Sequence, residues 1–245
     1  MRPNQRHTAN QRHTANPDAG RRVTVALAGL VAVLGTTAVL AVAGAGDGRA
    51  AAAAHRHDHA ATVPAPAGRL ALHDAMRTLW EQHVAWTRLA IVGFAAGSPD
   101  LPATEARLLR NQADIGNAVK PFYGRVAGNR LTRLLREHIT GAVAVLQAAK
   151  AGDQAALAGA RTAWYANGRQ VADFLSAANP ANWPRAEMRA MMTTHLDQTL
   201  EEAVDQLTGR FAAGIREYDA IERHILRMAD TLSSGIVRQF PRRFR

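Results

Sequence analysis

Residues 79 to 88 read LWEQHVAWTR, and the spacing of their apolar side chains decides the fold. Leu79, His83 and Trp86 fall at steps of four and three, the interval that returns to one face of an α-helix. Carried outward, the same steps collect Leu72, Met76, Ala90 and Phe94. A half-buried strand would alternate at every second residue, and no run of strand length in the chain does so. The stretch therefore predicts an amphipathic helix with an imidazole set into its apolar stripe.

The breakers on either side extend the reading to a whole domain. A first helix over about 69 to 96 stops at Gly97-Ser98-Pro99, and a second runs from about 103 to 119 and ends before Pro121. A third covers about 127 to 151 and closes at Gly152. Asp153 caps a fourth, which continues to about 178 before the loop NPANWP at 179 to 184. Pro184 suits the first turn of the next helix, and Gly209 and Gly214 mark a bend or a break before Gln239. Five or six amphipathic segments with short connections predict an all-α, antiparallel helical bundle over residues 69 to 240, with four long helices at its centre.

The stripes of this bundle carry histidines. His138 follows Leu131 and Leu135 and precedes Ala142 and Val145; His195 follows Met188 and Met192, with Met191 adjacent and Thr199 one turn on. His224 borders the stripe Ile221, Ile225, Met228. Facing helices of bundles build metal and cofactor sites from such residues, and His with Met is a ligand set for copper or for haem iron. His83, His138, His195, His224 and Met192 are thus the core metal candidates, with copper, zinc or iron as the cation. The competing reading is packing: each imidazole is a core side chain with a hydrogen-bond partner. Di-iron carboxylate chemistry is not indicated, because no Glu-x-x-His pair occurs, and covalent haem is excluded by the absence of cysteine. Asn111, Gln112, Asp114, Asn117 and Asn167 either line a small-molecule pocket beside Trp86, Trp164 and Trp183 or fix helix register. Glu201, Glu202 and Asp205 read as a solvated acidic stretch.

Residues 1 to 68 have a different character. The repeat QRHTAN at 5 to 10 and 11 to 16 sits in a basic, polar segment, 1 to 22, without apolar periodicity. Val23 to Gly46 then carries no charge; as a helix it would reach roughly 36 Å against a hydrocarbon core about 30 Å thick. Five arginines precede it, which orients the N-terminus to the cytoplasm and the bundle to the exterior. The segment is a transmembrane anchor or, with small residues at Ala41, Ala43 and Ala45, a cleaved signal. Residues 47 to 68 form an Ala/Pro-rich linker in which His55, His57 and His59 flank Asp58, a set able to take Zn, Cu or Ni if it became ordered.

Of the net charge of +10, seven arginines against Asp18, Asp47 and Asp58 place +4 on residues 1 to 68 and leave +6, dispersed, on the rest. No basic, aromatic-interleaved face appears within the helices, so nucleic acid is not an expected partner. The tail RQFPRRFR, with residues 241 to 245 as its basic end, reads as a solvated terminus or a headgroup-binding segment. Gly-x-Ser-x-Gly, Walker and dinucleotide motifs are absent.

The blocks LWEQHVAWTR, NQADIGNAVKPFYG, SAANPANWP and MMTTHLDQTL resemble those of a poorly characterised bacterial family of all-helical proteins, over about residues 70 to 240. The resemblance implies a helical domain and no activity. The leading expectation is accordingly a membrane-anchored or exported binding protein that holds a metal or small ligand through buried His, Met and amide groups. A cofactor-free interaction module of the cell envelope, with an envelope protein as partner, is the second, and an enzyme of hydrolase or transferase type the third.

Overall fold

A computed structural model describes residues 68 to 244. Within them α1 spans Arg69–Ala96, α2 Leu101–Ala151, α3 Gln154–Ala178, α4 Arg185–Leu207 and α5 Phe211–Gln239, followed by a 3-10 turn at Pro241–Phe244. No strand occurs among the described residues. The expected anchor, 23 to 46, and the linker histidines His55, His57 and His59 lie outside them. None of the described helices is long and apolar enough to cross a membrane.

The connections form where the breakers stand. Gly97 and Gly152 take the left-handed conformation, φ 67° and 69°, that ends α1 and α2 at little cost to a residue without Cβ. Asp153 caps α3 by accepting the amide of Ala156 at 2.9 Å, and Pro184 stands at the N-cap of α4.

Pro121 behaves differently from the expectation. The helix does not end before it but continues to Tyr123, and the backbone breaks at Gly124, φ 83° and ψ 167°. Proline removes only one amide donor here. The short extension past it is held by burial of Phe122, whose ring lies 5.8 Å from Phe240 and 5.7 Å from Phe244. The guanidinium of Arg243 also donates to the Pro121 carbonyl at 2.6 Å. The tail is therefore not a frayed terminus: Phe244 is buried.

At Gly124 the chain turns back on itself, so α2 is two arms, 101 to 123 and 125 to 151. A Cβ on Gly116 would lie 2.6 Å from the Gly128 carbonyl oxygen, and one on Gly128 2.5 Å from that of Gly116. On one straight helix those residues would be about 18 Å apart. Each arm packs on the next in chain order, and α5 returns to α1. Short connections make successive arms antiparallel, so α1, the second arm of α2, and α4 all run the same way. That common direction brings equivalent turns of the three helices to one level, and α1 and α4 also touch each other.

The buried face of α1 is rotated by one residue from the expected stripe. Trp80, Val84 and Ile91 are buried with Leu72, Met76 and His83, whereas Leu79, Trp86, Ala90 and Phe94 are only half-buried. Because α1 meets α2, α4 and α5, its contact arc is broader than one two-helix seam supplies.

Candidate functional site

Three imidazoles meet in the interior, one from each of the helices that share a direction. His83 on α1, His138 on the second arm of α2, and His195 on α4 are 2%, 4% and 4% exposed. The rings of His83 and His195 have centres 5.6 Å apart, and those of His138 and His195 are 6.2 Å apart. Trp80 meets His83 edge-on at 5.8 Å, and Trp164 of α3 stacks on His138 at 5.3 Å. Gly141, where any side chain would press on the Trp164 indole, lets that ring lie flat against α2.

Burial makes all three rings neutral. Loss of solvation pushes His83 down to about 3 and His138 down to about 4, and it holds His195 well below the ordinary value of 6.5. Charging any one ring would also repel the others. At neutral pH the layer thus presents uncharged imidazoles.

Their tautomers follow from the amides around them. Asn167 donates its Nδ2 to the Leu134 carbonyl at 3.1 Å, which leaves Oδ1 facing His138 Nδ1 at 3.0 Å. An oxygen can only accept, so His138 carries its proton on Nδ1 and a free lone pair on Nε2. Gln112, fully buried, sets the two N–H groups of its Nε2 among three acceptors, Leu108 O at 2.9 Å, Asn111 Oδ1 at 3.2 Å and His83 Nδ1 at 3.3 Å. A proton on His83 Nδ1 would face a nitrogen that cannot accept, so that proton sits on Nε2. Asn111 donates in turn to the Leu79 carbonyl at 3.0 Å. These amides fix register, as one of the two expectations held, and in addition they set the protonation pattern of the layer.

His195 has no such guide. Its Nδ1 is buried without a partner among the described residues, and so are Gln112 Oε1, Trp80 Nε1 and Trp164 Nε1. Unpaired buried groups cost about 1–3 kcal/mol each. Their concentration around the imidazoles distinguishes this layer from the rest of the core.

The remaining candidates separate from it. His224 is buried on α5, but its Nε2 donates to the Met191 carbonyl at 2.9 Å, which commits that nitrogen to tying α5 to α4. Met192 points at α3, where its Cγ would lie 3.1 Å from a Cβ on Gly168. Trp86 sits beneath the Arg107 guanidinium, 5.2 Å away, and Trp183 belongs to the α3–α4 loop docked on α5, so neither lines a pocket with Trp164. Among the described residues no set of three or more His, Asp or Glu side chains has its donor atoms converged for a metal.

The acidic stretch is not solvated as expected. Glu201 is exposed, but Glu202 and Asp205, one turn apart on the inner face of α4, are buried. Each has found a guanidinium, Arg88 at 2.6 Å from Glu202 and Arg210 at 2.6 Å from Asp205. Burial nevertheless raises Glu202 to about 7. Arg88, the last residue of LWEQHVAWTR, also lies 5.1 Å from the Tyr218 ring centre.

Neither a protein-family model, nor a curated protein sequence, nor a solved structure matches the chain. The chemistry of the site is accordingly read from its own geometry.

Proposed function

We propose that the chain is a binding protein of the cell envelope, anchored or exported through residues 23 to 46, which takes up a copper ion in the imidazole layer of its bundle. The observation that carries this reading is the meeting of His138 and His195, with His83 beside them, as neutral rings 5.6 and 6.2 Å apart. With metal–nitrogen bonds of about 2.0 Å, two imidazoles sharing one cation have ring centres about 5 to 6 Å apart. The His83–His195 spacing lies within that range and the His138–His195 spacing just above it, and rotation of the rings about their side-chain torsions would converge the donors. His138 Nε2 carries a lone pair in the tautomer that Asn167 fixes, and His195 Nδ1 has no partner among the described residues.

Charge selects among the cations. The imidazole layer itself contributes no carboxylate and no thiolate, so a bound ion keeps its full charge in a low-dielectric interior, and the singly charged copper(I) is penalised least. The uncharged run from Val23 behind five arginines supports placement outside the cytoplasm.

Anaerobic titration of the full chain with copper(I) against a chromophoric chelator tests this. The expected result is one equivalent bound with His55, His57 and His59 replaced by Ala, and loss of that equivalent in His195→Leu. Retention of no copper by the linker variant, or retention unaffected by His195→Leu, rejects the reading and leaves the layer as packing.

A further inference from the structure

One helical turn beyond the imidazoles lies a pocket of about 40 Å³, part-way open at the half-buried Thr87, Ala90, Ala142 and Leu200. Its walls repeat the symmetry of the layer below. Thr87, Ala142 and Thr199, each four residues after His83, His138 and His195, line it, and Trp164 continues from the histidine layer into its wall. Ala90 and Ala203 keep it open further along, toward the small cluster of Ile91, Leu146 and Ala203.

The wall that faces the space is almost entirely carbon, and the protons of its two hydroxyls are engaged elsewhere. Thr87 Oγ1 donates to the carbonyl of His83 and Thr199 Oγ1 to that of His195, both at 2.8 Å. The other lining side chains are aliphatic apart from Trp164, whose Nε1 is a buried donor without a partner. A water needs two to four polar partners, and a wall that turns almost only carbon to the space favours an apolar occupant. The size excludes an aromatic ring, which needs a void nearer 150 Å³, but suits a molecule of two or three heavy atoms.

The geometry points to a binding site for a small apolar molecule of dioxygen size, held among Thr87, Ala142, Trp164 and Thr199 and adjoining the histidine layer. This inference does not rest on copper binding, since the cavity is formed by residues that are not proposed ligands.

Xenon is the probe. In methyl-labelled full-length protein under a few bar of xenon, the methyl signals of Ala142, Thr199, Ala203 and Ile139 should shift saturably, while those of the Ile225 and Ile236 region stay fixed. Ala142→Leu and, separately, Ala203→Leu fill the space and should each reduce the shifts of the remaining lining methyls at least tenfold, with native dispersion of the other signals showing that the fold persists. Two variants guard against one of them failing to fold. Absence of saturable shifts in the wild-type chain, shifts that survive in a folded filled variant, or an ordered water at the site in a crystal each overturn the assignment. Because no metal is added, failure here is separable from failure of the copper titration.

Discussion

Two buried regions of this bundle have similar burial and opposite polar accounting. At the α3–α4 loop, Trp183 is nearly inaccessible, its Nε1 donates to Thr231 O at 3.2 Å, and Asn179 Nδ2 donates to Gly235 O at 3.0 Å. Gly235 has no side chain because the indole occupies that space; a Cβ would lie 2.7 Å from Trp183 Cε2. Every polar atom named there has a protein partner. In the histidine layer, Trp80 and Trp164 leave their ring N–H groups unpaired, as do Gln112 Oε1 and His195 Nδ1. The first region is satisfied within the chain, whereas the second leaves four polar atoms without a partner among the described residues. Stability should therefore be concentrated in the first and tunable in the second.

The sharpest break in the comparison is Trp183→Ala, which removes a filled, hydrogen-bonded anchor and should cost about 3–5 kcal/mol in urea denaturation. A loss below about 1 kcal/mol would show that the loop is not the stabilising end.

Acid should act on the other region. Each neutral imidazole has a folded pKa far below its unfolded 6.5, so between the two values the unfolded chain binds more protons and stability falls as pH falls. From pH 7 to pH 5 this amounts to about 2 kcal/mol for each of His83 and His138, and His195 acts in the same sense. Glu202, raised to about 7, works in the opposite sense and offsets about 2 kcal/mol, leaving a net loss of at least about 2 kcal/mol. Denaturation midpoints across this window check the sum, and Glu202→Gln should steepen the fall. A flat profile would mean that the rings are hydrated and charged in the folded state.

Within the layer, the partnered and unpartnered histidines should part company. His138→Leu strands Asn167 Oδ1 and should cost about 1–3 kcal/mol. His195→Leu strands nothing named here and keeps a similar volume, so its effect should be smallest, within about 1 kcal/mol or a gain. Equal losses in the two variants, measured side by side, would show that His195 has a partner after all and remove the contrast.

Much of the fold was legible because breakers and caps act locally. Gly97, Gly152 and Asp153 end or begin helices through their own backbone and side chain, whatever surrounds them. Gly124 was not legible, because Pro121 is the stronger local signal and only the burial of Phe122 against Phe240 and Phe244 carries helix past it. The candidate site was legible in part. Periodicity places His83, His138 and His195 on inner faces, but it equally offered His224 and Met192, which the structure turns to the Met191 carbonyl and to α3. Glu202 was misread because a carboxylate reads as solvated until its guanidinium partner, here from a helix 114 positions earlier, is known.

By itself the sequence determined the helices, their inward histidines and the uncharged segment that precedes them, since helical period, capping and hydropathy are properties of neighbours along the chain. Only the tertiary structure decided that three of those histidines share a level, that amides from α2 and α3 set two of their tautomers, and that an apolar-walled pocket lies one turn beyond. Level along a bundle axis depends on how far each connection lets its helices slide, and no local interaction between residues close in sequence measures that distance.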